Sequence, residues 1–372
     1  MNHAAINPAF SFMYSATHQN NFDKQYRFMD PKVADDLLAE MLDKPVAATD
    51  SIPQILNTQR PNIIFIILES FSTHLMETMG GQPNVAVNMD KFGKEGVLFT
   101  NFYANSFRTD RGLAYIISGY PGQPSTSIMK YPEKTDGLPS IPRSLKNAGY
   151  SLEYYYGGDA DFTNMRSYLV SSGIEKIISE TDFPLSERPG KWGAPDHTLF
   201  QRFLKDLKEE KQQEPFFKIV QTSSSHEPFE VPFYRLDDKV LNAFAYADSC
   251  VGDFVRQYKE TPMWKNTLIV LVPDHLGAYP RPVENPLEGH TIPLILIGGA
   301  VKEPRVVDTY ASQIDIAATL LSQLGLPHDD FTFSKNIFNP SSPHFGYFTE
   351  PTLFGMEIGR ASCRERVLWS GG

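Results

Sequence analysis

Six consecutive apolar residues, Ile63-Ile64-Phe65-Ile66-Ile67-Leu68, run directly into Glu69. The run is short, rich in isoleucine and preceded by Arg60-Pro61, so it predicts a central strand buried on both faces. A second run far along the chain, Thr267-Leu268-Ile269-Val270-Leu271-Val272, leads into Pro273-Asp274-His275. Further strands are predicted over 97–103, 152–156, 216–222 and 293–297. Helical patterns fall over 31–42, where Asp30 caps and Pro31 opens the helix, and over 90–96, stopped by glycine. More follow from Leu113 to Ser118, between Ser140 and Gly149, and over 197–210, 239–258 and 313–324. Strands alternating with helices predict an α/β fold, a central largely parallel sheet with helices on both faces.

The flanks have a different texture. Residues 1–29 mix polar residues with Phe10, Phe12, Tyr14, Phe22, Tyr26 and Phe28, which predicts a segment packed along the domain surface. Residues 44–61, with Pro45, Pro53 and Pro61, read as a linker. The tail over 357–372 has no clear period and a burst of arginine, as a foreign or disordered extension has.

Composition narrows the function classes. The chain of 372 residues is 41% hydrophobic and 21% charged, enough for a sizeable core. Its formal net charge of −10 argues against nucleic acid as a partner. Cys250 and Cys363 make no disulfide framework and leave the compartment open. No apolar run approaches the roughly 18 residues of a spanning helix, and no signal peptide is visible. The expectation is either a soluble chain or the water-exposed part of a longer protein.

Candidate chemistry gathers at strand ends. Open α/β sheets bind ligands at the carboxyl edge. Glu69 and the Asp274-His275 pair would both lie there, as a three-point cage for a divalent cation. Thr109 is the preferred nucleophile, in the polar loop 104–112 with Arg108, Asp110 and Arg111 around it. An alcohol is hardly ionised at neutral pH, so coordination to a cation is what would activate it. The two arginines would hold phosphoryl oxygens. The alternative is a turn threonine with solvated arginines. Ser70 and Ser106 are rival nucleophiles. His226, in Ser-Ser-Ser-His-Glu after a strong strand, and His290 are candidates for substrate contact, proton donation or a second metal.

Six stretches in order resemble the sulfatase-like branch of the alkaline phosphatase superfamily. They are Asn-Ile-Ile-Phe-Ile-Ile-Leu-Glu-Ser at 62–70, Asp-Lys-Phe-Gly-Lys-Glu-Gly-Val-Leu-Phe-Thr-Asn-Phe-Tyr-Ala-Asn at 90–105, and Arg-Thr-Asp-Arg-Gly at 108–112. Pro-Asp-His-Leu-Gly at 273–277, Gly-His-Thr-Ile-Pro-Leu-Ile-Leu at 289–296 and Ser-Gln-Ile-Asp-Ile-Ala-Ala-Thr-Leu-Leu at 312–321 complete the set. A single glutamate after the first strand, and Thr109 where sulfatases carry a modifiable Cys or Ser, point to the lipoteichoic acid synthase and phosphoglycerol transferase group.

The resemblance implies an alkaline phosphatase/sulfatase-like fold in which Glu69, Thr109, Asp274 and His275 bind one divalent cation. Mn2+ is expected ahead of Mg2+ or Zn2+. Thr109 would be the nucleophile and His226 the substrate-side histidine. Where the teichoic acid synthases carry His-Gly and Trp-Asn-Arg, this chain has Tyr156-Gly157-Gly158 and Thr163-Asn164-Met165-Arg166, so Arg166 would stand in for their arginine. Residues 1–60 become a juxtamembrane connector and linker, 61–356 the catalytic domain. The implied activity transfers phosphoglycerol, or a related headgroup, from a phospholipid such as phosphatidylglycerol to a hydroxyl acceptor through a phosphothreonine. The implied place is the outer side of a bacterial cell membrane, periplasmic or extracellular. Two rivals are a phosphodiesterase or sulfatase-type hydrolase of the same fold, and a non-catalytic envelope binding module.

Overall fold

The computed structural model describes residues 7–17, 27, 29–122, 124, 126–209, 212–277, 279, 289–351, 353–359 and 362–366. The chain forms two compact units, Met1–Leu42 and Asp43–Gly372. In the first, a helix over Pro8–Thr17 was not legible as a helix in the sequence. The helix Pro31–Met41 was: the Asp30 carboxylate accepts from the Lys32 N–H at 2.9 Å, and Pro31 opens it. Phe10 and Tyr14, one turn apart, are exposed and stack on each other. Phe22, Tyr26 and Phe28 lie outside the described residues.

The second unit is built on strands β1 (Asn62–Leu68), β2 (Val97–Phe99), β3 (Phe102–Tyr103), β4 (Ser151–Tyr156), β5 (Lys176–Ile178), β6 (Phe216–Gln221), β7 (Thr267–Pro273), β8 (Leu294–Ile297), β9 (Arg305–Val307) and β10 (Ala311–Ser312). Eight of them form one sheet in the order β5-β4-β6-β1-β7-β8-β2-β9. Only β8 runs antiparallel to its neighbours in this sheet. β1 is central and every one of its residues is buried.

Alternation along β1 divides the core between the sheet's two faces. Ile63, Phe65 and Ile67 pack into a layer with Leu113, Ile116 and Ile117 of the helix Thr109–Ser118 and with the helix Ile316–Gln323. Ile64, Ile66 and Leu68 face the other layer, which holds Phe203 of the helix Asp196–Glu209 and Phe254 of the helix Lys239–Lys259. A strand with helices on both sides needs apolar residues at every position, which is why β1 reads as an unbroken run.

The proline-rich run 44–61 lies along this unit: Ile55 and Leu56 are buried, the Ile55 N–H donates to Gln323 Oε1, and Leu56 bridges Val301. Beyond the main sheet, β3 pairs with β10. Strands β11 (Gly346–Glu350), β12 (Leu353–Glu357) and β13 (Ser362–Arg366) form an antiparallel meander with no clear sequence period. Residues 362–366 of the tail thus form β13. Among the described residues, no helix is long and apolar enough to cross a membrane.

Phe65 is fully buried, its ring edge-on to Phe217 at 5.1 Å between centroids. Phe65→Ala is expected to destabilise the unit by about 3–5 kcal/mol. Urea unfolding should show a lower midpoint; an unchanged midpoint would contradict the two-sided core.

Candidate metal centre

Three neighbouring parallel strands, β6, β1 and β7, end side by side. The last paired rung joins Leu68 to Pro273, so Glu69 and Asp274 occupy the next positions on adjacent strands. The Asp274 N–H still donates to Leu68 O at 3.1 Å, which locks that register. Glu69 is held from the β6 side: its N–H donates to Thr222 Oγ1, and Ser225 Oγ donates to its carbonyl. Ser70 then turns the chain through a left-handed conformation at φ 59°. There its N–H donates to Asp274 Oδ1 at 2.9 Å and its hydroxyl to Glu69 Oε1 at 2.5 Å.

Thr109 arrives from a different direction. The sequence places it in a polar loop, with a helix opening at Leu113; in the structure the helix begins at Thr109 itself. Its first turn is polar, with Thr109 and Asp110 toward the site and Arg111 turned to Pro124 and Phe107, and the apolar periodicity therefore starts late. Gly112 allows the approach. A Cβ there would lie 2.3 Å from the Asp274 carbonyl oxygen, so only glycine lets this turn rest on the Asp274 backbone. The helix N-terminus, with its partial positive charge, thus points at the acidic cage.

The result is a tight cluster. Thr109 Oγ1 lies 3.3 Å from Glu69 Oε2 and 3.4 Å from His275 Nε2. His275 Nε2 is 3.7 Å from Glu69 Oε1 and 3.5 Å from Asp274 Oδ2. His275 Nδ1–H donates to Leu276 O at 2.7 Å, which fixes the ring with Nε2 toward the carboxylates. Glu69, Asp274 and His275 each offer a ligand atom within 4.8 Å of the others.

The electrostatics of this cluster call for a cation. Asp274 is fully buried, and its Oδ2 has no hydrogen-bond partner. Burial, and next the Glu69 carboxylate, raise its pKa from 3.8 to about 7. Burial opposes protonation of His275, but the Asp274 and Glu69 carboxylates outweigh it and raise its pKa. Two buried carboxylates against one imidazole leave excess negative charge in a low dielectric. An orphaned acceptor and a set of carboxylate, hydroxyl and imidazole donors without thiolate fit Mn2+, Mg2+ or Zn2+.

A cavity of about 360 Å³ opens above the cluster, lined by Glu69, Thr109 and His275 at its base. Arg108 and His226 also line it, as the sequence suggests for substrate contacts. Arg108 is half exposed and pairs with Asp110 at 3.3 Å. The other predicted substrate residues lie elsewhere. Arg111 is buried, its guanidinium donating to Pro124 O at 2.9 Å and lying over the Phe107 ring, so it braces the loop before the helix. Arg166 pairs with Asp161 and donates to Ser179 Oγ, and borders a separate surface hollow. His290 is buried, bonded to Ala104 O and Glu350 and stacked on Phe348. None of these three lines the cavity. Ser70 and Ser106 are buried and do not line it either.

Some contributors were not singled out from the sequence. Trp192 and Phe162 wall the cavity, from segments without periodicity. Gln313 Nε2 donates to both Pro273 O and Asp274 O at 2.7 Å, while its Oε1 accepts from the Asn105 N–H. It ties the Asp274 turn to the loop that precedes Thr109. A glutamine opening an apolar helical run was the available signal.

Comparison with known proteins agrees with this fold. The family model described as Sulfatase matches residues 61–326. Lipoteichoic acid synthase 2 of Bacillus subtilis (strain 168) is 23% identical over 304 residues, 73% of this chain and 46% of that protein. Phosphoglycerol transferase I of Xanthomonas campestris pv. campestris (strain B100) is 24% identical over 348 residues, 86% of this chain and 49% of that protein. The chain thus spans about half the length of these curated relatives. A crystal structure of a protein in the alkaline phosphatase superfamily from Vibrio parahaemolyticus superposes with a TM-score of 0.79 at 26% identity, covering 91% of this chain and 88% of that one.

Two outcomes follow from the cage. Gly112→Ala is expected to push Thr109 away and weaken Mn2+ binding by about 10–100-fold, read by titration calorimetry; unchanged affinity would contradict the packing argument. The second concerns pH. Above 3.8 the unfolded chain loses a proton that cation-free Asp274 keeps, so folded stability falls as pH rises toward about 7. The raised His275 pKa acts in the same direction, its stabilisation being lost as pH climbs past 6.5 and through the folded value. The Mn2+-induced rise in thermal midpoint should therefore be larger at about pH 8 than at about pH 5. Equal rises would contradict it.

Proposed function

The chain belongs to the Sulfatase family, and from that premise we propose that it is a metal-dependent phospho-headgroup transferase, its catalytic part running over 61–356. The observation that carries the reading is Thr109 Oγ1 at 3.3 and 3.4 Å from two cage residues, at the N-terminus of a buried helix and the base of a cavity. Glu69, Asp274, His275 and Thr109 are the residues that would hold the cation, Mn2+ first. When bound, the cation would lower the pKa of the threonine hydroxyl and offset charge on the phosphoryl group.

This chain's own residues do the rest. Thr109 Oγ, as the alkoxide, attacks the phosphorus of a phospholipid headgroup, phosphatidylglycerol being the expected donor, and leaves as the alkoxide again in the second half. The bond from phosphorus to the diacylglycerol oxygen breaks, and a phosphothreonine diester remains. His226, on the cavity wall, gives the departing oxygen its proton. Arg108 and the helix N-terminus stabilise the charge on the non-bridging oxygens. An acceptor hydroxyl then attacks from the side the lipid left, displaces Thr109 Oγ and passes its proton to His226. Dividing the transfer in two lets one constellation serve both halves.

The names of the relatives support phosphoglycerol as the headgroup and the bacterial cell envelope as the setting. In a longer chain, the catalytic part would work on the extracytoplasmic side of a membrane. Water in place of the acceptor would make the same site a phosphodiesterase.

Thr109→Ala is expected to reduce diacylglycerol release from fluorescent phosphatidylglycerol by at least about 1,000-fold without lowering the thermal midpoint. The unaltered protein, quenched during turnover, should carry a glycerophosphoryl adduct on the Thr109 peptide by mass spectrometry. Turnover by Thr109→Ala would remove Thr109 as the nucleophile.

A further inference from the structure

His226 holds its ring at the cavity wall with little grip of its own. Its hydrogen bonds stay inside the loop that follows β6: its N–H donates to Ser223 O at 3.1 Å, and its Nδ1–H to Glu227 O at 3.1 Å. The Trp192 ring lies against it, 4.2 Å between centroids, and Trp192 Nε1–H donates to the same Glu227 oxygen at 2.7 Å. Trp192, Ser223 and His226 line both the cavity above the cage and an adjoining one of about 580 Å³, so these two segments form a partition. A single carboxylate joins the segments from behind.

That carboxylate is Asp196, fully buried in the first turn of the helix Asp196–Glu209. Its Oδ1 accepts from the N–H groups of Ser223, at 2.9 Å, and Ser224, at 3.2 Å. Its own N–H donates to Ser224 Oγ at 2.9 Å. A carboxylate at a helix start ordinarily accepts from that helix's own N–H groups. This one is bonded across to the other loop instead. Its Oδ2 has no hydrogen-bond partner, and burial raises its pKa from 3.8 to about 6 against the pull of the Ser223 and Ser224 N–H donors. A buried, half-satisfied carboxylate is costly to the fold, so stability alone does not account for it.

We infer that Asp196 is a positioning residue for the reaction: it clamps the loop 223–226 to the segment that carries Trp192, and so sets where His226 Nε2 stands in the cavity that has Thr109 at its base. The inference rests on the transferase reading above and supplies its proton donor with a support. Glu69 depends on the clamp far less. Thr222 and Ser225 touch its backbone, but β1 is also paired with β7 as far as Leu68, where the Asp274 N–H closes onto the Leu68 carbonyl. Releasing Asp196 therefore moves the histidine and spares the cage.

The test separates proton donation from everything else at the site. Diacylglycerol leaves as an alkoxide unless a proton reaches its oxygen, whereas p-nitrophenolate leaves without one. Thr109 Oγ displaces either group from phosphorus in the same first step. Release in the first turnover is measured in the presence of Mn2+ with saturating fluorescent phosphatidylglycerol and with bis(p-nitrophenyl) phosphate. In Asp196→Ala, diacylglycerol release is expected to fall about 10–100-fold and p-nitrophenolate release by less than about threefold. Affinity for Mn2+, read by titration calorimetry, should not change. Asp196→Asn keeps the Oδ1 acceptor and should release diacylglycerol at close to the unaltered rate. In a His226→Ala background, Asp196→Ala should cost nothing further. Where Asp196→Ala does not fold, Ser224→Ala, which gives up only the bond from the Asp196 N–H, carries the same comparison. Unchanged diacylglycerol release, equal losses on the two substrates, or weakened Mn2+ binding would each overturn the inference. So would an Asp196→Asn protein as slow as Asp196→Ala, or an added loss in the absence of His226. Those outcomes leave the Thr109 chemistry standing. No diacylglycerol release by the unaltered protein removes the transferase reading, and this role for Asp196 with it.

Discussion

Two carboxylates buried side by side at the ends of adjacent parallel strands are the constraint on which the molecule turns. Glu69 and Asp274 sit one position past a paired rung, with one imidazole to answer two negative charges. Nothing in packing alone favours that arrangement, since each carboxylate loses hydration and repels the other. The surrounding structure is arranged to sustain it. Backbone N–H groups of Ser70 and His275 satisfy Asp274 Oδ1, and the residual demand at Oδ2 is left open. A divalent ion would answer that demand; without one, burial and next the Glu69 carboxylate raise the Asp274 pKa to about 7.

The same constraint explains Thr109. A helix N-terminus is drawn toward negative charge, and Gly112 removes the one side chain that would keep it away. Gln313 holds the Asp274 turn and the chain at Asn105 to each other, so the helix and the strand end are aligned through a shared brace. Thr109, the proposed nucleophile, is thus placed by the Gly112–Asp274 backbone contact and the Gln313 brace. Arg111 belongs to this scaffolding: its charge supports Pro124 and lies on Phe107 instead of facing the cavity.

Much of this was readable in the chain. Buried strands that need apolar residues on both faces leave unbroken runs, so β1 and β7 announce themselves, and the candidate ligand residues follow at their ends. What could not be read depends on direction. The antiparallel sense of β8 leaves no trace in its apolar pattern, and neither does the side of the chain on which Arg111, Arg166 or His290 emerges. Polar residues at Thr109–Arg111, of which Thr109 and Asp110 line the cavity, hid the true start of their helix. Trp192 lies in an irregular segment, where period carries no information, yet it forms the wall shared by both cavities.

The central claim is that Glu69, Thr109, Asp274 and His275 converge on one cation. A crystal structure of the Mn2+-loaded protein, with the ion located by anomalous scattering, tests it most directly. The account predicts a single strong peak with oxygen or nitrogen atoms of all four side chains within about 2.0–2.5 Å of it. A peak bound elsewhere, or one at the carboxylates with Thr109 Oγ1 turned away, would contradict it.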